Sequence, residues 1–158
     1  MTTASRVAIS ILVAAVWAIG LATGSGLTIQ DPWVREPPPG ATVLAAYLTL
    51  TNRSGSPQML LGASSPLFEQ IEIHQTVERD GTARMVRQER LEVPPGGQLS
   101  FAPGSYHLML IGPRATLHEG DTVDLRLELE GGDAVDVSAP VRRGEPDPHE
   151  HHTGAHTH

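Results

Sequence analysis

The amino-acid sequence predicts an all-β fold, a β-sandwich or a small barrel of about eight short antiparallel strands. Several short segments alternate apolar with other residues, and no segment after the N-terminal region shows the 3.6-residue repeat of an amphipathic helix. Turn residues recur at intervals of roughly ten positions, a spacing typical of such folds. The 16 glycines and 13 prolines also favour frequent turns over long helices.

Residues 1–24 are predicted to be a secretory signal peptide. Arg6 precedes an apolar run over residues 7–21, and Ala22 and Gly24 fit the small residues of a cleavage site. The run is shorter than the roughly 20 residues of a membrane-spanning helix, and an uncleaved N-terminal anchor is the alternative. Both interpretations predict export, so we expect a periplasmic or otherwise extracytoplasmic protein that contacts a membrane only through such an anchor.

The first strands of the predicted domain, residues 25–141, lie in its N-terminal half. A strand near residues 27–35 contains Pro32, which favours an edge position or a bulge. Residues 41–52 alternate well, and one face of this strand carries Leu44, Ala46, Leu48 and Leu50. A turn then leads into a short strand that begins at residue 58.

A β-hairpin is predicted over residues 68–93. Asp80-Gly81 is a strong signal for a two-residue hairpin loop. This loop pairs Thr76 with Met85, which makes Met85 a diagonal neighbour of His74 on one face of the hairpin. Diagonal Cβ atoms lie roughly 7–8 Å apart, within reach of long side chains.

The last strands are predicted within residues 98–112, 121–130 and 134–141. The second of these segments alternates strictly, with one face formed by Val123, Leu125, Leu127 and Leu129. From Arg142 onward the chain has no core-forming residues, and we predict that residues 142–158 are a disordered, histidine-rich tail.

Composition excludes several classes of function. The chain has no cysteine, so it has no disulfide framework, no thiolate nucleophile, no zinc ribbon and no blue-copper centre. A net charge of −7, with no lysine, argues against nucleic acid as a partner. We find neither a Ser-His-Asp spacing nor a recognisable pair of catalytic carboxylates, and we predict that the protein is not an enzyme.

Two His/Met pairs are the candidate metal ligands. His107 and Met109 share one face of a predicted strand, and His74 and Met85 share one face of the hairpin. A soft thioether suits Cu(I), which imidazole also binds, whereas thioethers are weak ligands for Zn²⁺ or Mg²⁺. Four uncharged donors favour Cu(I) over Cu(II). The plainer alternative is that these methionines and histidines only fill gaps in the core.

The spacing of these residues resembles the motif of the PCuAC family, the periplasmic CuA chaperones. That motif is a His, ten residues, a Met, twenty-one residues and His-x-Met, and it is matched in type and spacing by His74, Met85, His107 and Met109. Many family members carry a second Met beside the first His, where this chain has Gln75.

The resemblance covers residues 33–141 and implies a cupredoxin-like or immunoglobulin-like β-sandwich that holds Cu(I) near its surface. It also implies delivery of copper to cytochrome c oxidase, chiefly the CuA centre of subunit II, or to another copper chaperone of oxidase assembly. We expect a monomer. Two alternatives are a copper-sequestering or resistance protein with no dedicated oxidase recipient, and an exported adhesion-type sandwich whose His and Met are incidental.

The C-terminal tail is a candidate for a second metal site. Imidazoles favour Cu(II) in the usual affinity order. The irregular spacing of the tail histidines argues against an expression tag, and some relatives of the family carry similar extensions. We therefore hypothesise a Cu(II) site that loads the Cu(I) site after reduction, formed by His149, His151, His152, His156 and His158.

Overall fold

The computed structural model describes residues 26–144, which form ten β-strands and no α-helix. Within this range no helix has the length and apolar character needed to cross a membrane. The predicted signal peptide or anchor and nearly all of the predicted tail lie outside the described residues. The all-β fold predicted from the sequence is therefore confirmed for the domain itself.

Two sheets pack against each other. Their strands are β1 (Leu27–Arg35), β2 (Val43–Asn52), β3 (Gln58–Ser64), β4 (Phe68–Arg79), β5 (Thr82–Gln88), β6 (Leu91–Val93), β7 (Gln98–Phe101), β8 (Tyr106–Pro113), β9 (Thr122–Leu129) and β10 (Ala134–Arg142). The first sheet has the order β5-β4-β8-β7-β2-β1, with an additional pairing of β2 with β8, and the second has the order β10-β9-β3-β6. A parallel pairing of β1 with β10 joins the two sheets.

The hydrophobic core lies between the sheets and follows the alternation in the sequence. In β9 every second residue is buried, because successive side chains of a strand point to opposite faces. In the first sheet the core side of β2, β4 and β8 is also apolar and buried. The core residues contributed by these four strands include Leu44, Ala46, Leu48, Leu50, Ile71, Ile73, Leu108, Leu110, Val123, Leu125, Leu127 and Leu129.

The structure also agrees with two local predictions from the sequence, a hairpin loop and a bulge. Asp80 and Gly81 both have positive φ, 54° and 72°, as the favoured two-residue hairpin loop requires. Arg79 consequently pairs with Thr82, which is the predicted register. At Pro32 the pairing of β1 with β2 shifts between Gln30 and Trp33, which confirms the predicted bulge.

Three features differ from the sequence prediction. The segment 98–112 forms two strands, because a tight turn at Pro103-Gly104 interrupts it, and β7 and β8 pair in parallel. The end of the predicted hairpin forms β6, which pairs with β3 in the second sheet. Arg142, assigned from the sequence to the tail, is the last residue of β10, because its carbonyl accepts a 2.8 Å hydrogen bond from the backbone of Glu36.

Candidate metal centre

His74 and His107 stand directly opposite each other on the neighbouring strands β4 and β8. Their ring centroids lie 5.9 Å apart and their planes are inclined by 35°. The residues next to them, Ile73 and Leu108, are buried on the core side of the sheet, so the two imidazoles project from its outer face. The fold therefore brings together the two histidines that the sequence proposed as ligands.

The two predicted methionine ligands lie on the same outer face. Met109 follows His107 by two residues and pairs with Glu72 of β4, whereas Met85 of β5 pairs with Thr76. Both methionines are thus diagonal neighbours of His74, but on opposite sides of β4 and in opposite directions along it. Met85 is 62% exposed, and Met109 is half-buried.

The position of Met85 depends on the hairpin rather than on the full sheet. Pairing of β4 with β8 ends at Gln75, and the backbone hydrogen bond from Thr76 to Ser105, 3.0 Å long, is the last connection. Beyond it β4 and β5 form a two-stranded ribbon, which twists more strongly than a wide sheet. In a flat sheet the Cα atoms of the two methionines would lie about 17 Å apart. How closely their sulfur atoms approach therefore depends on the twist of this ribbon.

His107 is buried although it lies on the outer face of the sheet. Only 6% of it is exposed. Burial lowers the pKa of its imidazole below the ordinary value of 6.5. The hydrogen bond to the Ser105 carbonyl opposes this shift, and His74, when protonated, adds to it. A neutral ring at neutral pH is the form that can bind a metal ion.

A carboxylate network that the sequence analysis missed surrounds His74. Nε2 of His74 lies 2.8 Å from Oε2 of Glu72. The other oxygen, Oε1, accepts hydrogen bonds from Arg87 at 2.8 Å and from Gln70 at 2.7 Å. Glu72 precedes His74 by two residues on the same face, and that spacing is the signal that could have revealed it. The position of Arg87 opposite His74 follows from the hairpin register.

The composition of the site limits which donors are available. Among residues 26–144, no group of three or more His, Cys, Asp or Glu side chains is arranged to hold a metal ion. Beside His74 and His107, Met85 and Met109 offer thioether donors on the same face. Two imidazoles with two thioethers make a set that suits a soft monovalent ion such as Cu⁺.

The remaining histidines lie elsewhere. His118 is exposed at a turn after β8, where its backbone N–H donates to the Asp121 carboxylate at 2.8 Å. The five tail histidines proposed as a Cu(II) site, at positions 149–158, lie outside the described residues.

A family model described as "Putative lipoprotein LpqE-like" matches residues 27–141, nearly the whole of the described domain. The chain belongs to the LpqE-like family. This LpqE-like chain is 29% identical over 118 residues to the "Putative lipoprotein Lxx21020" of Leifsonia xyli subsp. xyli, an alignment that covers 74% of this chain and 70% of that protein.

Two solved structures resemble the fold. The solution structure of CuI-DR1885 from Deinococcus radiodurans is 34% identical, with a TM-score of 0.63, and the match covers 77% of this chain and 82% of that one. The copper-bound PCuAC domain from PmoF2 has a TM-score of 0.64 at 24% identity, with 75% of this chain and 94% of that domain covered. At 24% identity, the similarity to the PmoF2 domain shows the fold alone, and it confirms the predicted β-sandwich class.

The burial of His107 predicts how the stability of the metal-free protein depends on pH. The unfolded chain has the ordinary imidazole pKa of about 6.5, and the folded chain has a lower one, so the unfolded state binds more protons in this range. The free energy of unfolding should therefore decrease as the pH falls from about 7 through 6.5 toward the folded-state pKa. Urea denaturation with a chelator present measures this dependence.

The matched variant is His107→Asn, which removes the titrating group from the same position. Its stability should change less between pH 7 and pH 5 than that of the wild type. Equal slopes for the two proteins would contradict the assignment of a depressed pKa to His107.

Proposed function

We propose that the protein is an extracytoplasmic copper chaperone that binds Cu(I) through His74, Met85, His107 and Met109. The observation that carries this proposal is the direct pairing of His74 with His107 across β4 and β8, with ring centroids 5.9 Å apart. His74 and His107 are far apart in the sequence, but this pairing places their imidazoles side by side on one face of one sheet. The thioethers of Met85 and Met109 flank them on the same face.

The chemistry of the four donors fits monovalent copper as cargo. All four are uncharged when both imidazoles are neutral, and burial of His107 favours the neutral form of its ring. Thioether sulfur is a soft donor that stabilises Cu(I) more than divalent ions. Two proteins of similar fold have been solved with copper, the PCuAC domain of PmoF2 and DR1885 in its Cu(I) form.

The unequal exposure of the donors suits transfer to another protein. His107 is buried and sits within the sheet, whereas Met85 is 62% exposed on the edge strand β5. An acceptor can approach the ion from the β5 side and replace the exposed thioether first. The buried imidazole then retains the ion until a second acceptor ligand arrives.

We infer that the site operates outside the cytoplasm. The proposed signal peptide at residues 1–24 supports export, and the relative in Leifsonia xyli is named as a lipoprotein. The recipient that we propose is the CuA centre of cytochrome c oxidase subunit II, or another copper chaperone of oxidase assembly. The protein would act as a monomer, since one chain supplies all four donors.

We propose the histidine-rich tail as a second, Cu(II)-binding site that supplies the Cu(I) site after reduction. The last described residue, Gly144, borders the cavity between the loops at residues 36–42 and 112–118, at the end of the sandwich beyond the C-terminus of β8. From that end, His107 is about 20 Å away along β8. Fourteen residues in extended form span up to about 50 Å, so the length of the tail is sufficient to reach the site.

The Cu(I) site predicts a specific mutational pattern. The wild type should bind one equivalent of Cu(I) in competition with a colorimetric chelator, and His74→Ala or His107→Ala should weaken binding by about 100-fold or more. Met85→Leu and Met109→Leu preserve volume but remove the thioether, so they should also weaken binding.

Two controls accompany these variants. His118→Ala, at an exposed turn, and Met59→Leu, on β3 of the second sheet, should keep the wild-type affinity. X-ray absorption of the Cu(I) form should show two nitrogen and two sulfur neighbours. A shell made only of nitrogen, or equal affinities for all variants, would refute the site.

Delivery to the oxidase predicts a phenotype for deletion of the gene. The deletion should lower cytochrome c oxidase activity at low external copper, and excess copper should restore the activity. Expression of the wild type, but not of His74→Ala, should also restore it. Normal oxidase activity combined with increased sensitivity to copper would instead support the alternative function, copper sequestration.

The tail predicts a difference in Cu(II) stoichiometry. The full chain should bind at least one more equivalent of Cu(II) than a chain truncated after Arg143, because truncation removes all five tail histidines. Isothermal titration calorimetry under oxidising conditions measures both values. Identical stoichiometries would exclude the tail site and leave the Cu(I) site unaffected.

A further inference from the structure

We propose that Glu72 is a positioning residue that fixes the tautomer of His74, so that His74 binds copper through Nδ1 while His107 binds it through Nε2. This inference rests on the proposed function and adds the identity of the donor atoms. It is carried by the hydrogen bonds of the two rings and by the burial of one ring nitrogen.

The Glu72 carboxylate defines which nitrogen of His74 carries the proton. Oε2 of Glu72 lies 2.8 Å from Nε2 of His74, and an ionised carboxylate can only accept a hydrogen bond. Nε2 must therefore donate its hydrogen, and in the neutral ring the lone pair resides on Nδ1. Metal-binding histidines commonly donate their other N–H to a carboxylate in this way.

Nδ1 of His74 is the nitrogen that remains available. It is buried, and among the described residues it has no hydrogen-bond partner. A buried acceptor without a partner costs about 1–3 kcal/mol, so such atoms are rare in native proteins. A copper ion bound to Nδ1 would supply the missing partner.

The carboxylate itself is held firmly in place. Its second oxygen, Oε1, accepts hydrogen bonds from Arg87 and Gln70, and only 14% of the Glu72 side chain is exposed. The guanidinium of Arg87 offsets the negative charge, so the network orients His74 without adding net charge beside the ion. The site therefore keeps the uncharged donor set that favours Cu(I).

His107 has the complementary arrangement. Its Nδ1 faces the Ser105 carbonyl oxygen at 3.4 Å, and a carbonyl can only accept. The lone pair of the neutral His107 ring is therefore on Nε2. The two rings present opposite nitrogens to the ion because one is oriented by a carboxylate and the other by the backbone.

Long-range ¹H–¹⁵N NMR of the full chain at pH 8 tests the inference, with a His74→Ala sample to assign the His74 ring. In the metal-free protein we expect a protonated Nε2 and an unprotonated Nδ1 for His74. On addition of Cu(I), which is diamagnetic, the large ¹⁵N shifts should occur at Nδ1 of His74 and Nε2 of His107. A protonated Nδ1 in the metal-free protein, or a copper-induced shift at Nε2 of His74, would overturn the proposal.

Substitutions of Glu72 distinguish a positioning role for its carboxylate from a merely structural one. Glu72→Ala should convert His74 to a mixture of tautomers and weaken Cu(I) binding about 10- to 100-fold. Glu72→Gln keeps an acceptor oxygen and should recover part of both losses. The matched control is Glu78→Ala, an exposed carboxylate on the same face of β4, which should change neither the tautomer nor the affinity.

The outcomes also distinguish this inference from the proposed function. If Glu72→Ala folds normally and leaves both the tautomer and the Cu(I) affinity unchanged, Glu72 has no positioning role, although the copper site stands. If the wild type binds no Cu(I), the proposed function fails, and the role of Glu72 in copper binding fails with it.

Discussion

The antiparallel pairing of β4 with β8 is the interaction on which the site depends. Ile73 and Leu108 are buried on the core side of these strands, and alternation then places His74 and His107 on the outer face. A slip of one residue would turn the imidazoles into the core and expose the apolar residues, at a high cost in buried surface. The hydrophobic core therefore fixes the register of a polar site that lies on the other side of the sheet.

The candidate donors are held in place by two kinds of structural element. His74, His107 and Met109 lie in strands that pair on both sides, so the sheet restricts their positions. Met85 lies on a ribbon that extends beyond the sheet, where twist can vary and one edge is open. Three candidate donors fixed by the sheet and one on an adaptable ribbon would suit the proposed role, in which the protein holds an ion and also releases it. The contact between Arg87 and Glu72 links β5 to β4 at the base of the ribbon.

Local sequence signals predicted much of the fold and the site. Asp80-Gly81 determined the hairpin register because positive φ at both positions selects one loop geometry. Pro32 marked a bulge because proline cannot donate to the ladder. The break between β7 and β8 and the transfer of β6 to the second sheet were missed. Both depend on which strand lies alongside, and the alternation within a segment does not contain that information.

The sequence by itself determined the types of the candidate donors, their spacing and the face of the strand on which each one lies, because these follow from residue identity and two-residue periodicity. Only the tertiary structure decided that His74 stands opposite His107, that His107 is buried, and that Glu72 and Arg87 form a network around the site. Desolvation and contacts across strands arise from neighbours that are distant in sequence. They therefore exist only after the sheet has formed.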